Sequence, residues 1–330
     1  MSTVAIVDGN PLIWRAYDLY ASLTTRSGIY TGCLFGALQN LVRGLESVKP
    51  DYFVVTWDIG KSRWRRELLP SYKSNRKYET EQNPKVPWEA VWHQMEVTRT
   101  ILKHAGVTQI GIEGVEADDL IGLLATGFDK WGEYDDVVIM SQDHDLHQLV
   151  GGKIRQFDLV RKSWINREGV KQLNGGLAGK QLIEVKALMG DSGDEIPGVR
   201  GMGPSGAVNL IQKFGSVERV FSNESKFTVE AMGKKYASVL ECKPVVELAK
   251  KLVTIPTSED YLQLAPSEIT QFLEQLKTKV TPNRMDFVGM SEQYELTKVL
   301  GKQEVLFRDP PNFTGFEEWF GHERAINQHA

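Results

Sequence analysis

The strongest constraint on this chain is a set of short apolar runs, each closed by an acidic residue. Residues 4–7 run into Asp8-Gly9-Asn10, residues 52–56 into Trp57-Asp58, and residues 137–140 into Ser141-Gln142-Asp143. Runs this short and this rich in β-branched residues read as strands buried on both faces, the first of them closed by a turn. Helical spacings lie between them: 33–48, with Leu34, Leu38, Leu41 and Leu45 on one face, then 88–104 and 117–128. Residues 107–112 and 154–158 read as two further strands. Apolar strands alternating with helices predict an α/β fold, with a mainly parallel sheet covered by helices on both sides.

From about residue 180 the pattern changes. Helices are predicted over 180–189, 204–214 and 244–253, and Gly and Pro crowd into 190–206. The division falls there, with residues 1–179 as the α/β core and 180–330 as a helical region. The stretch 309–330 carries Pro310-Pro311, then Phe313, Phe316, Trp319 and Phe320. It reads as a tail packed on the body, with a partner-docking peptide as the alternative. Lys and Arg number 39 and Asp and Glu 43, a net charge of −4. That balance excludes a disordered or collagen-like chain. No apolar run approaches the length of a membrane helix, and no signal-peptide pattern opens the sequence. The two cysteines, Cys33 and Cys242, make neither a metal spacing nor a disulfide framework. A reducing cytoplasmic compartment fits this usage.

In a parallel sheet the carboxyl ends of the strands share one edge, where ligand sites form. Asp8, Asp58, Asp143 and Asp145 are expected to converge there, with Glu116, Asp118 and Asp119 at the start of the helix after the third strand. Singly, each has an ordinary explanation: a turn, a helix N-terminus that favours acids, or a solvated loop. Jointly they are like charges that raise one another's pKa and call for a cation. An oxygen-only set without His or Cys suits Mg²⁺ or Mn²⁺ rather than zinc.

Residues 61–85 have the opposite sign. Lys61, Arg63, Arg65, Arg66, Lys73, Arg76, Lys77 and Lys85 face only Glu67, Glu79 and Glu81, with Trp64, Tyr72 and Tyr78 interleaved. Most charge runs are solvated loops. This one begins three residues after Asp58, beside the acidic edge. Cations neutralise phosphates and aromatic faces stack on bases, so the pair of features suits cleavage of a phosphodiester chain. Farther on, Gly190 through Pro204 joins two predicted helices. Gly201 and Gly203 permit close backbone approach, and Pro204 suits the first turn of a helix whose free N–H groups attract phosphate. Asp191 and Asp194 in the same stretch would bring further carboxylates toward the edge.

Taken in order, these strings resemble the 5′→3′ exonuclease and flap endonuclease family. That group includes the N-terminal nuclease region of bacterial DNA polymerase I and stand-alone bacteriophage enzymes. The matching strings are Val7-Asp8-Gly9-Asn10, Trp57-Asp58, Arg65 through Arg76, Glu116-Ala117-Asp118-Asp119-Leu120-Ile121-Gly122, Ser141 through Asp145, and Gly190 through Pro204. The resemblance implies a PIN-like (resolvase-like) core with a basic helical arch at about 61–87 and a helix–three-turn–helix element. It implies that Asp8, Asp58, Glu116 and Asp118 hold one divalent ion. Asp118 would be shared with a second ion nearer Asp143, Asp145 and Asp191, and Asp119 and Asp194 would complete the ring directly or through water. Lys73 and Arg76 would be the basic pair on an arch helix that contacts the scissile phosphate, Tyr72 would stack on a base, and Arg63, Arg65 and Arg66 would join the DNA contacts. Residues 199–203, with Val199, Gly201 and Gly203, would hold the duplex backbone, in this family often with K⁺.

The implied reaction is two-metal hydrolysis of DNA at 5′ ends and flaps, in replication or repair, leaving a 5′ phosphate and a 3′ hydroxyl. RNA primers paired with DNA are a further implied substrate, and a monomer is the implied state. Two positions depart from the family pattern: Ser205 follows Pro204 where Lys is usual, and Glu195 stands where Asn is common. Two other readings stay open at this point. One is a non-catalytic DNA-binding protein of the same fold; the other is a PIN-type ribonuclease acting on single-stranded RNA.

Overall fold

Strand β1 (Thr3–Asp8) lies in the middle of the sheet, because residues Val4 to Val7 are apolar toward both faces and fully buried. The computed structural model describes residues 2–75, 86–222, 239–258, 264–300, 303–307, 311, 313 and 316. The other strands are β2 (Tyr52–Thr56), β3 (Thr108–Ile110), β4 (Asp136–Met140), β5 (Ile154–Asp158) and β6 (Ser163–Ile165). Among the described residues they form one six-stranded sheet in the order β3-β2-β1-β4-β5-β6. β1 pairs in parallel with both β2 and β4, setting Asp8 opposite Thr56 and Val7 opposite Met140. The strand order reverses there, between β1 and β4, and such a switch point opens a crevice at the carboxyl ends of the strands. Only β6 runs antiparallel, on the edge beside β5.

The helices in chain order are α1 (Gly9–Tyr20), α2 (Gly32–Val48), α3 (Arg63–Leu68), α4 (Trp88–His104), α5 (Ala117–Trp131), α6 (Arg167–Leu173), α7 (Gly179–Met189), α8 (Pro204–Phe214), α9 (Val217–Ser222), α10 (Lys243–Val253), α11 (Pro266–Lys277), α12 (Arg284–Gln293) and α13 (Thr297–Leu300). Alternate strand residues face opposite ways, so the sheet makes two cores. Ala5, Val7, Phe53 and Val55 pack against α2 and α4 on one side. Val4, Ile6, Val54 and Ile139 pack against α5 and α11 on the other. A third cluster joins α7, α8, α9 and α10. A small fourth one sets Tyr72 against Ile196, Ala249 and Leu252, tying the basic segment to the Gly-rich stretch and to α10.

The α/β sheet followed by helices agrees with the sequence expectation, with three differences of detail. The expected turn at Asp8-Gly9-Asn10 is absent, since α1 starts at Gly9 directly after β1. Pro11 is tolerated in a first helical turn, and Leu12, Ile13 and Ala16 give that helix a buried face. Gly9 is needed for this abrupt change: a Cβ there would stand 2.6 Å from the Thr56 carbonyl and the Trp57 ring. The edge strand β6, only three residues long, gave no alternation to read. Lys73, expected on a helix, instead follows α3 in a turn, with φ 52°. Arg76, with Lys77, Tyr78, Glu79, Glu81 and Lys85, lies outside the described residues. Of the aromatic tail, Phe313 and Phe316 are buried against Phe128 and Trp131, which agrees with a packed tail, while Trp319 and Phe320 lie outside the described residues.

Candidate active site

The strand ends and the start of α5 are stitched together by short polar contacts. Asp8, at the end of β1, is buried, and its Oδ2 accepts a hydrogen bond from Ser141 Oγ at 2.8 Å. Ser141 follows β4 and also accepts the Asp143 N–H at 3.0 Å. Asp143 Oδ1 in turn accepts the Asp145 N–H at 2.8 Å. The buried Gln156 on β5 donates to the carbonyls of Ser141 and Asp143, at 3.0 and 2.8 Å, and fixes this loop. Asp58 donates its N–H to Asn10 Oδ1 at 3.0 Å and accepts the Ala117 N–H at 2.7 Å. That last contact seats the first turn of α5, which bears Asp118 and Asp119, against the end of β2.

Electrostatics show how closely the carboxylates are gathered. Burial pushes the Asp8 carboxyl well up, and the charges of Asp58 and Asp143 push it further. Burial likewise raises Asp118, with Asp143 and Asp8 as the next causes. Asp143 is raised by burial and then by Asp145. Asp8, Asp58, Asp118, Asp143 and Asp145 thus form a set of mutually repelling oxygen donors that runs from the buried Asp8 to the exposed Asp58. Its chemistry fits a hard divalent cation. Among the described residues, no three His, Cys, Asp or Glu side chains already form a ready group for such an ion. Several of the carboxylates are engaged by lysines or an arginine instead.

Three cations do this. Lys73 Nζ donates to Glu116 Oε1 at 2.5 Å and lies 3.7 Å from Asp194. Lys186, on α7, bridges Asp145 and Asp191, reaching Asp191 at 2.9 Å. Arg65 binds Glu116 and takes both oxygens of Asp119. Burial pushes Glu116 up, but Arg65 and Lys73 more than offset it and hold this carboxyl below its ordinary value. Burial also pushes Asp191 up, and Lys186 brings it below.

Three sequence expectations change here. Arg65, expected at the DNA, is 3 % exposed and holds Glu116, Asp119 and the Leu252 carbonyl. Asp119, expected in the acidic ring, is fully buried, with its oxygens taken by Arg65 and by Trp64 Nε1 at 3.1 Å. Tyr72, expected to stack on a base, is buried, and its hydroxyl donates to Glu116 Oε2 at 3.1 Å. In each case pairing inside the protein keeps a costly buried polar group satisfied. Arg63 pairs with Glu268 at 2.9 Å. Arg66 lines a cleft of about 280 Å³ together with Asp58, Lys73 and Glu116.

Trp14 and Trp92 form another wall of that cleft, and their rings meet edge to face at 5.4 Å. No spacing in the sequence pointed to them, nor to Lys186, an isolated lysine in a helix. Asn10 and Ser141 sit inside quoted strings and could have been picked out as polar neighbours of Asp8 and Asp143. In the Gly-rich stretch the buried Val199 donates its N–H to Leu188 at 2.8 Å, and Met202 closes the turn onto Val199 at 2.9 Å. Gly201 has φ 78° and open space around it, and Gly203 caps α8.

Residues 3–175 match the 5′-3′ exonuclease N-terminal resolvase-like domain, and residues 177–278 match the 5′-3′ exonuclease C-terminal SAM fold. A 5′-3′ exonuclease of Aquifex aeolicus (strain VF5) is 30 % identical over 308 residues, spanning 93 % of this chain and 97 % of the relative. DNA polymerase I of Bacillus subtilis (strain 168) is 34 % identical over 272 residues, 81 % of this chain but 28 % of that longer protein. The fold is shared with the bacteriophage T5 flap endonuclease in a pseudo-enzyme–product complex with DNA and metal ions. The TM-score there is 0.66 at 23 % identity, covering 88 % of this chain and 100 % of that one.

Proposed function

The chain belongs to the 5′-3′ exonuclease family, and from that premise we propose that it hydrolyses phosphodiester bonds of DNA at free 5′ ends and at the base of 5′ flaps, in replication or repair. One observation carries the reading. The mutually repelling Asp8, Asp118 and Asp143, of which Asp8 is buried, share an edge with the cations Lys73 and Lys186. A phosphodiester needs this juxtaposition, with oxygen donors for cations at the bond and positive side chains along the strand.

Asp8, Asp58, Glu116 and Asp118 would hold one ion; Asp143, Asp145 and Asp191, with Asp118 shared, would hold a second, and Asp194 lies at the rim. Bound there, two Mg²⁺ or Mn²⁺ ions would lower the pKa of an attacking water and neutralise charge on the leaving 3′ oxygen. The related T5 protein, complexed with DNA and metal ions, supports both the substrate and the need for cations.

The protein's own groups do the rest. Lys73 stays protonated, because Glu116 and Asp194 outweigh the effect of its burial. Its ammonium can exchange Glu116 for a phosphate oxygen without a proton moving. Arg66 and the Trp14–Trp92 wall line the approach to it. Arg65 and Asp119 hold α3 against α5 and so keep Lys73 and Glu116 in register. The hairpin at Val199, Gly201 and Gly203 would hold the duplex backbone, with K⁺ bound beside it. We assign the cytoplasm as compartment, a monomer as the state, and RNA–DNA hybrids as a further substrate. Among the described residues no helix is long and apolar enough to cross a membrane.

The test is cleavage of a 5′-flapped DNA duplex, with Mg²⁺ and with EDTA, by the parent and by Asp118→Ala. Cutting at the junction that needs both Mg²⁺ and Asp118 is the expected result, and product lengths separate exonuclease from endonuclease action. Binding without cleavage would overturn the reading in favour of a non-catalytic DNA-binding protein. Faster cutting of free single-stranded RNA would favour a ribonuclease.

A further inference from the structure

Glu195 has φ 59°, in the left-handed region that residues with a side chain seldom adopt. Its carboxylate is turned away from the acidic edge and toward the basic segment. Oε2 accepts the Ser74 N–H at 2.7 Å, the Ser74 hydroxyl at 2.6 Å and the Asn75 N–H at 3.0 Å. Alongside, the Asp194 carbonyl accepts the Lys73 N–H at 3.1 Å, and Asn75 Nδ2 reaches the Ser192 carbonyl at 3.4 Å. Tyr72 packs on Ile196 just below these bonds. The backbone on both sides of Lys73 is therefore fixed by the Gly-rich stretch. Lys73 is itself left-handed, at φ 52°, and from that turn its ammonium reaches Glu116.

We infer that Glu195 is a positioning residue: it clasps the base of the basic segment to the hairpin and so sets where the Lys73 ammonium stands. A duplex held by the hairpin is thereby indexed to Lys73, with three of the bonds gathered on one carboxylate oxygen. An alanine here would leave the Asn75 N–H without that acceptor and the Ser74 N–H with the Ser71 carbonyl at 3.0 Å. A glutamine would keep an acceptor oxygen of the same reach. The activity arm of the test rests on the nuclease reading; the exchange arm does not.

Single-turnover cleavage of a 5′-flapped duplex in Mg²⁺ is compared for the parent, Glu195→Ala, Glu195→Gln, Lys73→Ala and the Glu195→Ala/Lys73→Ala pair. Glu195→Ala is expected to slow the cleavage step roughly tenfold to a hundredfold, with KM moving far less, as a displaced reacting group does. Glu195→Gln recovers most of the rate. In the Lys73→Ala background the loss of Glu195 adds nothing, since groups acting through one another are not additive. An unchanged rate in Glu195→Ala, or the same fold-loss with and without Lys73, would overturn the inference. Amide hydrogen exchange without DNA or metal supplies the second arm. Faster exchange at Asn75 in Glu195→Ala is expected, and unchanged protection there would overturn the clasp. If Glu195→Ala does not fold, Ser74→Ala, which removes one of the three donors, is read in both arms with smaller losses expected. A parent that cleaves nothing would sink the nuclease reading alone, leaving the exchange arm to decide the clasp.

Discussion

Arg65 lays its guanidinium flat against Asp119, Nη2 to Oδ1 at 2.8 Å and Nη1 to Oδ2 at 2.9 Å, with both side chains shut off from solvent. Nη1 also meets Glu116 at 2.5 Å, and Nε meets the Leu252 carbonyl at 2.9 Å. One side chain thus joins α3, α5 and the end of α10. Removing one partner of a buried pair strands the other charge, a loss of about 3–5 kcal/mol. Arg65→Met should lower unfolding stability by that amount in urea melts. Arg65→Lys should recover less than half, because an ammonium cannot make the paired contact.

Lys73 contributes differently. It is one of two cations on Glu116, and Arg65 remains there when it is removed. Lys73→Ala should therefore fold with a melting temperature within a few degrees of the parent. Its cleavage rate should fall about 10²–10³-fold, the usual effect of losing one donor to developing charge. Rapid-quench measurement with saturating enzyme and Mg²⁺ decides it; a rate equal to the parent's removes Lys73 from the reaction.

Asp118 should trade stability against function. Burial, then Asp143 and Asp8, push its carboxyl up, which means that the folded protein disfavours the charge it carries at neutral pH. Asp118→Asn should raise stability in EDTA by about 1 kcal/mol, relief of the kind expected at a strained functional site. Added Mg²⁺ should stabilise the parent by mass action and the variant much less. Thermal melts in EDTA and in Mg²⁺ read both effects, and a variant less stable than the parent in EDTA contradicts the expectation.

Cys33 should be chemically silent. Burial pushes its thiol up to about 11, so at pH 8 the reactive thiolate is about one part in a thousand. Native alkylation with iodoacetamide at that pH should label Cys242, which is half-buried, and leave Cys33 unmodified until urea is added. Mass spectrometry of the two peptides checks it.

Phe316 should matter far from the acidic edge. It is fully buried, 5.1 Å from the Phe128 ring and 5.9 Å from Trp131. Phe316→Ala should cost about 3–5 kcal/mol as a core truncation. A chemical denaturation curve with unchanged slope and a lower midpoint is the expected form.

The strands and their acidic ends were legible because a strand buried on both faces leaves an uninterrupted apolar run, and Asp8, Asp58 and Asp143 mark where each run stops. α1 was not legible at its start: Asp8-Gly9-Asn10 has the composition of a turn, and only the closeness of Trp57 reveals why glycine is there. That acids gather at one sheet edge was legible, but the division of labour among neighbouring residues was not. Sequence distinguishes neither Asp118 from Asp119 nor Arg65 from Arg66. Consecutive positions in a helix point in different directions, one toward the acidic edge or the cleft and the other into the core. Lys186 was invisible for the same reason, since it reads as an ordinary helical lysine until the fold sets it between Asp145 and Asp191. Glu195 stood out in the sequence only as an odd residue; its three donors come from a segment some 120 positions earlier.

The cover over one face of the sheet has a consequence for how the molecule is made. Val4 and Ile6 share a core with Ile269, Phe272, Phe313 and Phe316. A ribosome delivers the first strand, with Asp8, about 300 residues before Phe316. Over that interval the nascent chain therefore has the first strand without the roof that steadies it. A chaperone that shields apolar strand faces would act on this protein during that interval.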